Sequence, residues 1–545
     1  MKKLKMLLTG FLTLALVAGC GGGGNGDNGG NGGTADGAKT VTVANDVELS
    51  SMDTCLATDG TSFEAIAATI EGLYTLDADG NAVLAIASDE QVSEDGLTYT
   101  FTLRDANWSD GNPVTANDFV FAWRRLADPA TASEYAYMIG VAGIKNASAV
   151  TNGEMATTEL GVSAVDDKTL KVELEYPVPF FNQLMAFPSF YPIREDFYNQ
   201  FGDQYALTPD ALLANGPFKM TAWNQGANYE MVKNETYYDA ANVKIDNLNF
   251  QVIKDAQSAM VAFEQGTVDY VKLTGEMVEQ YKDSPEYTIT LGGYLWYMSP
   301  NEDVAGLENQ NLRLAFAYAY DKEQIAENVL KDGSIAANFA IPVKLAVGPD
   351  GKDFRDTTDT YLNVDKAKAL EYFEAAKKEL GKDTFEYELL FEDTESSKKV
   401  AEFVKSEIET TLPGVTLNLK QQPKKARLQA MQNGTYEIGL TRWGPDYADP
   451  MTYLDMWITG ASYNYGHWSN AEYDALIENA TKGELTSDLD ARWEALKQAE
   501  KIVMDEAVIL PVYQTGSAVM IKSGVSGFEF HSVGGPTMYK NLTRE

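Results

Sequence analysis

A carboxylate held among aromatic rings is the chemistry this sequence offers most directly. Residues 442–447 read Arg442-Trp443-Gly444-Pro445-Asp446-Tyr447, a Gly/Pro turn after a short β-pattern that leaves one aspartate between two large side chains. Arg442 is the one cation nearby in sequence, so Asp446 is either a turn aspartate paired with Arg442 or an anion open to a cationic ligand. Histidine chemistry is close to excluded: the chain has 545 residues and only His467 and His531, too few for a histidine metal cage or a multi-histidine catalytic centre. The glycine cluster at 21–33 precedes no strand-to-helix unit, and no Walker A pattern occurs anywhere, so a bound nucleotide, metal or other cofactor is not expected. Paired carboxylates of a secreted hydrolase are a further option in a chain with 80 acidic residues, yet no catalytic constellation stands out, and an enzyme is not expected.

The elements that must position such a loop belong to a large globular chain. At roughly 100–200 residues per domain the length allows two to four domains. Hydrophobic residues at 44% and aromatics at 11% give enough apolar surface to build cores. A net charge of −37 opposes binding to phosphate backbones, so nucleic acid is not an expected partner.

Residues 1–19 have the form of a signal peptide: Lys2, Lys3 and Lys5 precede an apolar run from Met6 to Val17. That run is shorter than the roughly 20 residues a membrane span needs, and no other segment approaches that length without charges. Val17-Ala18-Gly19-Cys20 resembles the bacterial lipobox, which implies a diacylglycerol on Cys20 and an extracytoplasmic protein anchored to the cell membrane by that lipid alone. Residues 20–38 are Gly-rich and read as a flexible tether. Cys55 is the only other cysteine, so no internal disulfide is expected in the mature chain.

From Val41 onward strands and helices alternate. A strand at 41–43 precedes a helix from Phe63 to Leu73; residues 97–127 give a strand, an Asp110-Gly111 turn and a helix capped by Thr115 with Asp118 three residues on. Asp128-Pro129 stops that helix. Strands follow at 169–175, 218–223, 229–233 and 248–252, with a helix at 256–265. Helices at 312–320 and 322–330 are separated by Asp321, and Gly333 is expected to end the second. Helices at 366–380, 398–409 and 427–432 then alternate with strands at 385–391, 415–420 and 437–441, which predicts an α/β fold with a mostly parallel sheet. No repeat of solenoid period is present.

The segment Asn107-Trp108-Ser109-Asp110-Gly111-Asn112-Pro113-Val114-Thr115 and its continuation to Pro129 resembles solute-binding protein family 5 of bacterial ABC importers, in particular its oligopeptide-binding lipoproteins. Further similarities are colinear: EGLYTLD at 71–77, DPATASEY at 128–135, PVPFF at 177–181, NGPF at 215–218, RLAFAYAYDKEQI at 313–325, WGPDYADP at 443–450 and LPVY at 510–513. The resemblance implies an α/β, two-lobed periplasmic-binding-protein-like fold (type II, cluster C) with an extra domain inserted in the first lobe. Lobe one would comprise 39–70, 186–285 and 511–545, the inserted domain 71–185 and lobe two 286–510, with hinges near 285 and 510. Several motif residues read as structural: Trp108 as a core anchor, Asn215-Gly216-Pro217 as a turn, and Asp449-Pro450 as the start of a helix holding Tyr453 and Trp457.

By the same resemblance Asp446 receives the α-ammonium of a peptide, Trp443, Gly444 and Tyr447 line the first side-chain pocket, and Tyr135 reaches in from the inserted domain. Thr58, Asp59 and Gly60 fall where the family's first lobe contacts ligand. Arg442 stands where relatives often carry a small residue, so it either narrows the first pocket or points to solvent. The implied function is capture of oligopeptides by a monomeric receptor that delivers them to ABC permease subunits, the ATPases being separate chains. A same-fold receptor for a metal chelate, haem, sugar oligomer or opine is the alternative, and the hydrolase comes third.

Overall fold

The computed structural model describes residues 37–533 and 537–545; the expected signal peptide, Cys20 and all but the end of the tether lie outside the described residues. Strand Thr40–Asn45 is buried along nearly its whole length, as a parallel strand covered on both faces must be. It lies between Asn247–Val252 and Tyr270–Lys272, parallel to both. The antiparallel pair Phe218–Asn224 and Asn228–Lys233 extends this side of the sheet. On the other side Phe385–Glu392 lies parallel to Val415–Gln422 and to Ile438–Trp443.

Two long strands, Tyr287–Pro300 and Leu510–Ile521, stand between these groups and join them into one sheet. They pair antiparallel, 287–291 with 516–520 and 295–298 with 510–514, and the ladder breaks between Leu291 and Leu295. Gly292 and Gly293 occupy that break. The sheet is therefore mixed rather than mostly parallel, because the 218–233 hairpin and both crossing strands enter antiparallel. The expected hinge positions near 285 and 510 fall at the outer ends of these strands, whereas the irregularity lies in their middle.

Helices cover the sheet by patterned burial. Lys366–Leu380 buries Ala369, Phe373 and Ala376, spaced four and three apart on one stripe. Asp365 accepts hydrogen bonds from the first-turn amides of Ala367 and Lys368, and Gly381 at φ 64° closes the other end. After Asp321, which accepts from the Gln324 amide, one α-turn passes into a π-helix at Ile325–Leu330. The expectation that Gly333 ends this helix is corrected: Lys331 takes the left-handed conformation at φ 54°, donating its amide to the Ala326 carbonyl at 3.0 Å.

Residues 87–173 contain a separate four-stranded antiparallel sheet, in the order Ala87–Val92, Thr98–Leu103, Thr169–Glu173, Val162–Asp166, against which helix Ala116–Ala127 packs. Trp108 is buried and its Nε1 donates to Asp118 Oδ2 at 3.0 Å, while the same oxygen accepts from the Thr115 amide at 2.9 Å. Asp118 thus caps the helix and ties the tryptophan to it. No helix among the described residues is long and apolar enough to cross a membrane.

Candidate functional site

Strand Ile438–Trp443 carries the chain to the loop that holds Asp446. Its residues pair with the far half of Tyr287–Pro300, Trp443 opposite Leu295 and Arg442 opposite Trp296. The loop then turns back under two constraints. The Asp446 amide donates to Thr452 Oγ1 at 3.0 Å, fixing it to the helical turn Met451–Leu454. The Tyr453 hydroxyl donates to the carbonyls of Trp443 and Gly293, joining the loop to the break in the crossing strand. A Cβ on Gly444 would run into the ring of Tyr294, and a Cβ on Gly293 would meet Pro445 and the Ser532 carbonyl.

Asp446 is partly exposed and has no cation in a salt bridge among the described residues. Arg442 does not neutralise it: the guanidinium lies over the rings of Trp296 at 5.0 Å and Tyr294 at 5.5 Å. Burial pushes the Asp446 carboxyl up to about 6, offset in part by the polar hydroxyl of Tyr137 beside it. Around it stand tyrosines from three distant segments, Tyr137, Tyr294 and Tyr463, each close to half exposed. Rings this large are seldom left so open without a use. The Trp443 ring packs on Tyr463 with centroids 4.6 Å apart, and its Nε1 is buried with no hydrogen-bond partner.

Tyr135 stacks on Phe187 at 5.4 Å and meets Phe63 edge-on at 5.5 Å, with Tyr137 beside it. Burial raises the pKa of its hydroxyl, and the charge of Asp446 adds to this. The structure thus brings Tyr135, Trp443, Gly444 and Asp446 to one place. Tyr447 is turned differently. It is buried against Phe180, with its hydroxyl 3.3 Å from Asp455 Oδ2. Asp455 is a second desolvated carboxylate, pushed up to about 7 by burial and by the nearby Asp446 and Asp449.

Thr58, Asp59 and Gly60 mark the start of helix Gly60–Thr69. Asp59 is its N-cap, accepting from the Ser62 amide at 3.0 Å and from the hydroxyls of Ser50 and Ser62. Thr58 is exposed beside it. Asp449 is buried in a bidentate pair with Arg492, at 2.8 and 2.9 Å, and accepts from the Met451 amide; the short helix it precedes ends at Leu454, with Trp457 in the 3₁₀ turn beyond. Cys55 is buried, and desolvation pushes its thiol up to about 12, which makes it unreactive.

Sequence reasoning missed Tyr137, Tyr294 and Tyr463. Tyr137 follows Tyr135 at an interval of two, and Tyr294 follows the Gly292-Gly293 pair, signals that become legible only once the crossing strand is known. No group of histidine, cysteine or carboxylate side chains suited to a metal ion occurs among the described residues.

Comparison with known proteins adds to this geometry. The family model of bacterial extracellular solute-binding proteins, family 5 Middle, matches residues 81–465. A dipeptide-binding protein of Lactococcus lactis subsp. cremoris is 33% identical over 512 residues, covering 91% of this chain and 92% of that protein. The crystal structure of the substrate-binding domain of an oligopeptide ABC transporter from Bacillus anthracis is 41% identical with a TM-score of 0.75, covering 93% of this chain and 99% of that one. Listeria monocytogenes OppA bound to peptide is 34% identical with a TM-score of 0.74 over 93% and 99% of the two chains. The α/β, two-lobed type II architecture is shared with these structures.

Proposed function

Because the chain belongs to the bacterial extracellular solute-binding proteins of family 5, we propose that it captures oligopeptides in an interlobe cleft, with the peptide α-ammonium on Asp446, and delivers them to an ABC importer. The observation that carries this reading is the state of Asp446, a desolvated carboxylate without a cation partner inside a ring of open tyrosines. A buried charge is costly unless paired, and a peptide N-terminus brings both the missing charge and three hydrogen-bond donors. The unpartnered Trp443 Nε1 and the aromatic walls suit a first residue of varied side chain. Main-chain pairing of an extended peptide supplies affinity that does not depend on sequence.

In this reading residues 39–70, 186–285 and 511–545 form the first lobe, 71–185 its insertion and 286–510 the second, with bending at the break between Leu291 and Leu295. The protein acts as a monomer outside the cytoplasm, held to the membrane by a lipid on Cys20, and works with permease and ATPase chains that it does not itself contain. The names of its relatives, dipeptide-binding and oligopeptide-binding proteins, support peptides over other solutes.

The test is a cycle of four calorimetric titrations: wild type and Asp446→Asn, each with a free and an N-acetylated peptide. Acetylation should weaken the wild type by about a hundredfold and Asp446→Asn far less. Equal wild-type affinity for the two peptides would transfer the weight to a non-peptide solute.

A further inference from the structure

Strand Tyr287–Pro300 is paired on both sides only in its second half. Residues 295–298 lie between Ile438–Trp443 and Leu510–Ile521, whereas residues 287–291 pair with 516–520 alone. Beyond that ladder residues 288–291 have no further main-chain pairing among the described residues. In an antiparallel ladder alternate residues aim both N–H and C=O away from the partner strand, so this side presents free donors and acceptors. Sheet proteins usually blunt such an edge with lysine, proline or a bulge. Here it reads Tyr287-Thr288-Ile289-Thr290-Leu291, five strand formers without a charge, and Ile289 is 50% exposed.

The edge opens into a cavity of about 680 Å³. Ile289, Leu291 and Ile335 line it together with Phe528 and Phe530, whose rings stack with centroids 6.1 Å and planes 11° apart. Its charges cancel: Glu279, Glu327 and Glu529 are balanced by Lys331, Lys344 and Lys282, the last paired with Glu279 at 2.8 Å. None of the residues described around Asp446 contributes to it. A volume within the range of ligand pockets, about 300–1,000 Å³, admits a short stretch of chain and excludes a folded domain.

We infer that residues 287–291 receive an extended, uncharged segment of another protein chain, added to this edge as a strand. Main-chain pairing supplies the affinity. The cavity decides the kind of segment: cancelled charges offer nothing to an ionic one, and Ile289 and Leu291, two apart on one face of the strand, meet apolar side chains at every second position. Such a segment does not compete for Asp446, since internal chain has no free α-ammonium. A strand laid on 287–291 occupies the same edge as Ile438–Trp443 and stops short of the break between Leu291 and Leu295. It therefore braces the crossing strand beside the point of proposed bending.

The probe is acetyl-TVTVT-amide, blocked at both ends, titrated calorimetrically into the protein beside two analogues N-methylated at its second and fourth or at its first, third and fifth residues. Saturable one-to-one binding is expected, weakened about tenfold or more by one of the two methylation patterns, with slowed hydrogen exchange at 288–291. Ile289→Asp should weaken the probe about tenfold or more and Ile289→Val by less than about threefold, the fold of both variants being verified by thermal melting. Absence of saturable binding, or binding indifferent to both methylation patterns and to Ile289→Asp, overturns the assignment. A concentration-dependent dimer in light scattering that Ile289→Asp dissolves gives the edge to a second copy of this chain and overturns it equally. Peptide capture at Asp446 stands or falls separately, by the titrations with free and acetylated peptide.

Discussion

The ring of Phe180 lies flat on that of Tyr447, centroids 4.5 Å apart and planes 9° apart, one residue beyond the aspartate that carries the proposed ligand contact. The Arg492 guanidinium sits 5.6 Å from the Phe180 ring and holds Asp449 from the other side. Segment 176–181 is thereby fastened to the loop after Asp446. Phe180→Ala removes a buried ring and should cost about 3 kcal/mol in urea unfolding. Phe180→Leu keeps most of the volume and should cost less than half as much. An unchanged unfolding midpoint for Phe180→Ala would show that the stack contributes nothing.

Asp446 makes binding depend on pH. Its folded-state value near 6 lies above the unfolded 3.8, so its contribution to stability is full below the unfolded value and is lost as pH rises through 6. In the ligand-free protein Asp446→Asn should therefore raise stability by about 1–2 kcal/mol at pH 8 and by little at pH 4. Peptide affinity runs the other way, since an ionised carboxylate is needed, and should fall about tenfold between pH 7 and pH 5. Asp455 lies in the same field, and in Asp455→Asn the midpoint should move to lower pH without disappearing. A flat affinity profile over that range would exclude Asp446 as the ammonium partner.

The two glycines against the aromatic wall should respond differently. At Gly444 the obstacle is the open ring of Tyr294, which has room to swing away. Gly444→Ala should cost less than about 1 kcal/mol of stability while weakening peptide binding. At Gly293 the obstacle includes the main-chain carbonyl of Ser532, and Gly293→Ala should cost about 2 kcal/mol or more. Paired melting and binding curves for both variants check this, and the reverse order of stabilities would refute it.

Asp449→Asn leaves the buried Arg492 without its counter-charge and should destabilise by about 3 kcal/mol. Replacing Arg492 by Met in the same chain should recover part of that loss. The measurement is denaturant unfolding of the single and double variants, and full additivity would mean the pair is not coupled.

Cys20→Ala should abolish incorporation of labelled fatty acid and release the protein from cells, because stable anchoring at a bilayer takes two acyl chains or an equivalent second signal, and in the proposed reading the diacylglycerol on Cys20 is the anchor. Label retained in that variant would remove the lipid anchor.

Much of the fold was legible because local signals agreed with it. Asp365 with Gly381, Thr115 with Asp118 and Asp128 with Pro129 each mark a helix boundary by chemistry confined to a few residues. The mixed character of the sheet was not legible, since the direction of Tyr287–Pro300 and Leu510–Ile521 is set by partners far apart in sequence. The same limit applies at the site. Asp446 stands out by its turn and its neighbours, but that Arg442 would rest on Trp296 and Tyr294 instead of Asp446 depends on a strand pairing separated by more than a hundred residues. Tyr447 reads as a pocket residue from its place beside Asp446 and is instead buried, because Phe180 reaches it from another part of the chain.

The strand Leu510–Ile521 lies in the middle of the large sheet, between Tyr287–Pro300 and Tyr270–Lys272, although it is the last long strand along the chain. During synthesis, both halves of the sheet must wait for it with an open edge each. Unpaired edges are templates for wrong partners, so the nascent chain is at its most aggregation-prone just before this segment emerges. A chaperone that shields Tyr287–Pro300 until then would act at the step where the sheet closes, and truncations ending before Leu510 should be recovered as aggregates rather than as a stable half-protein.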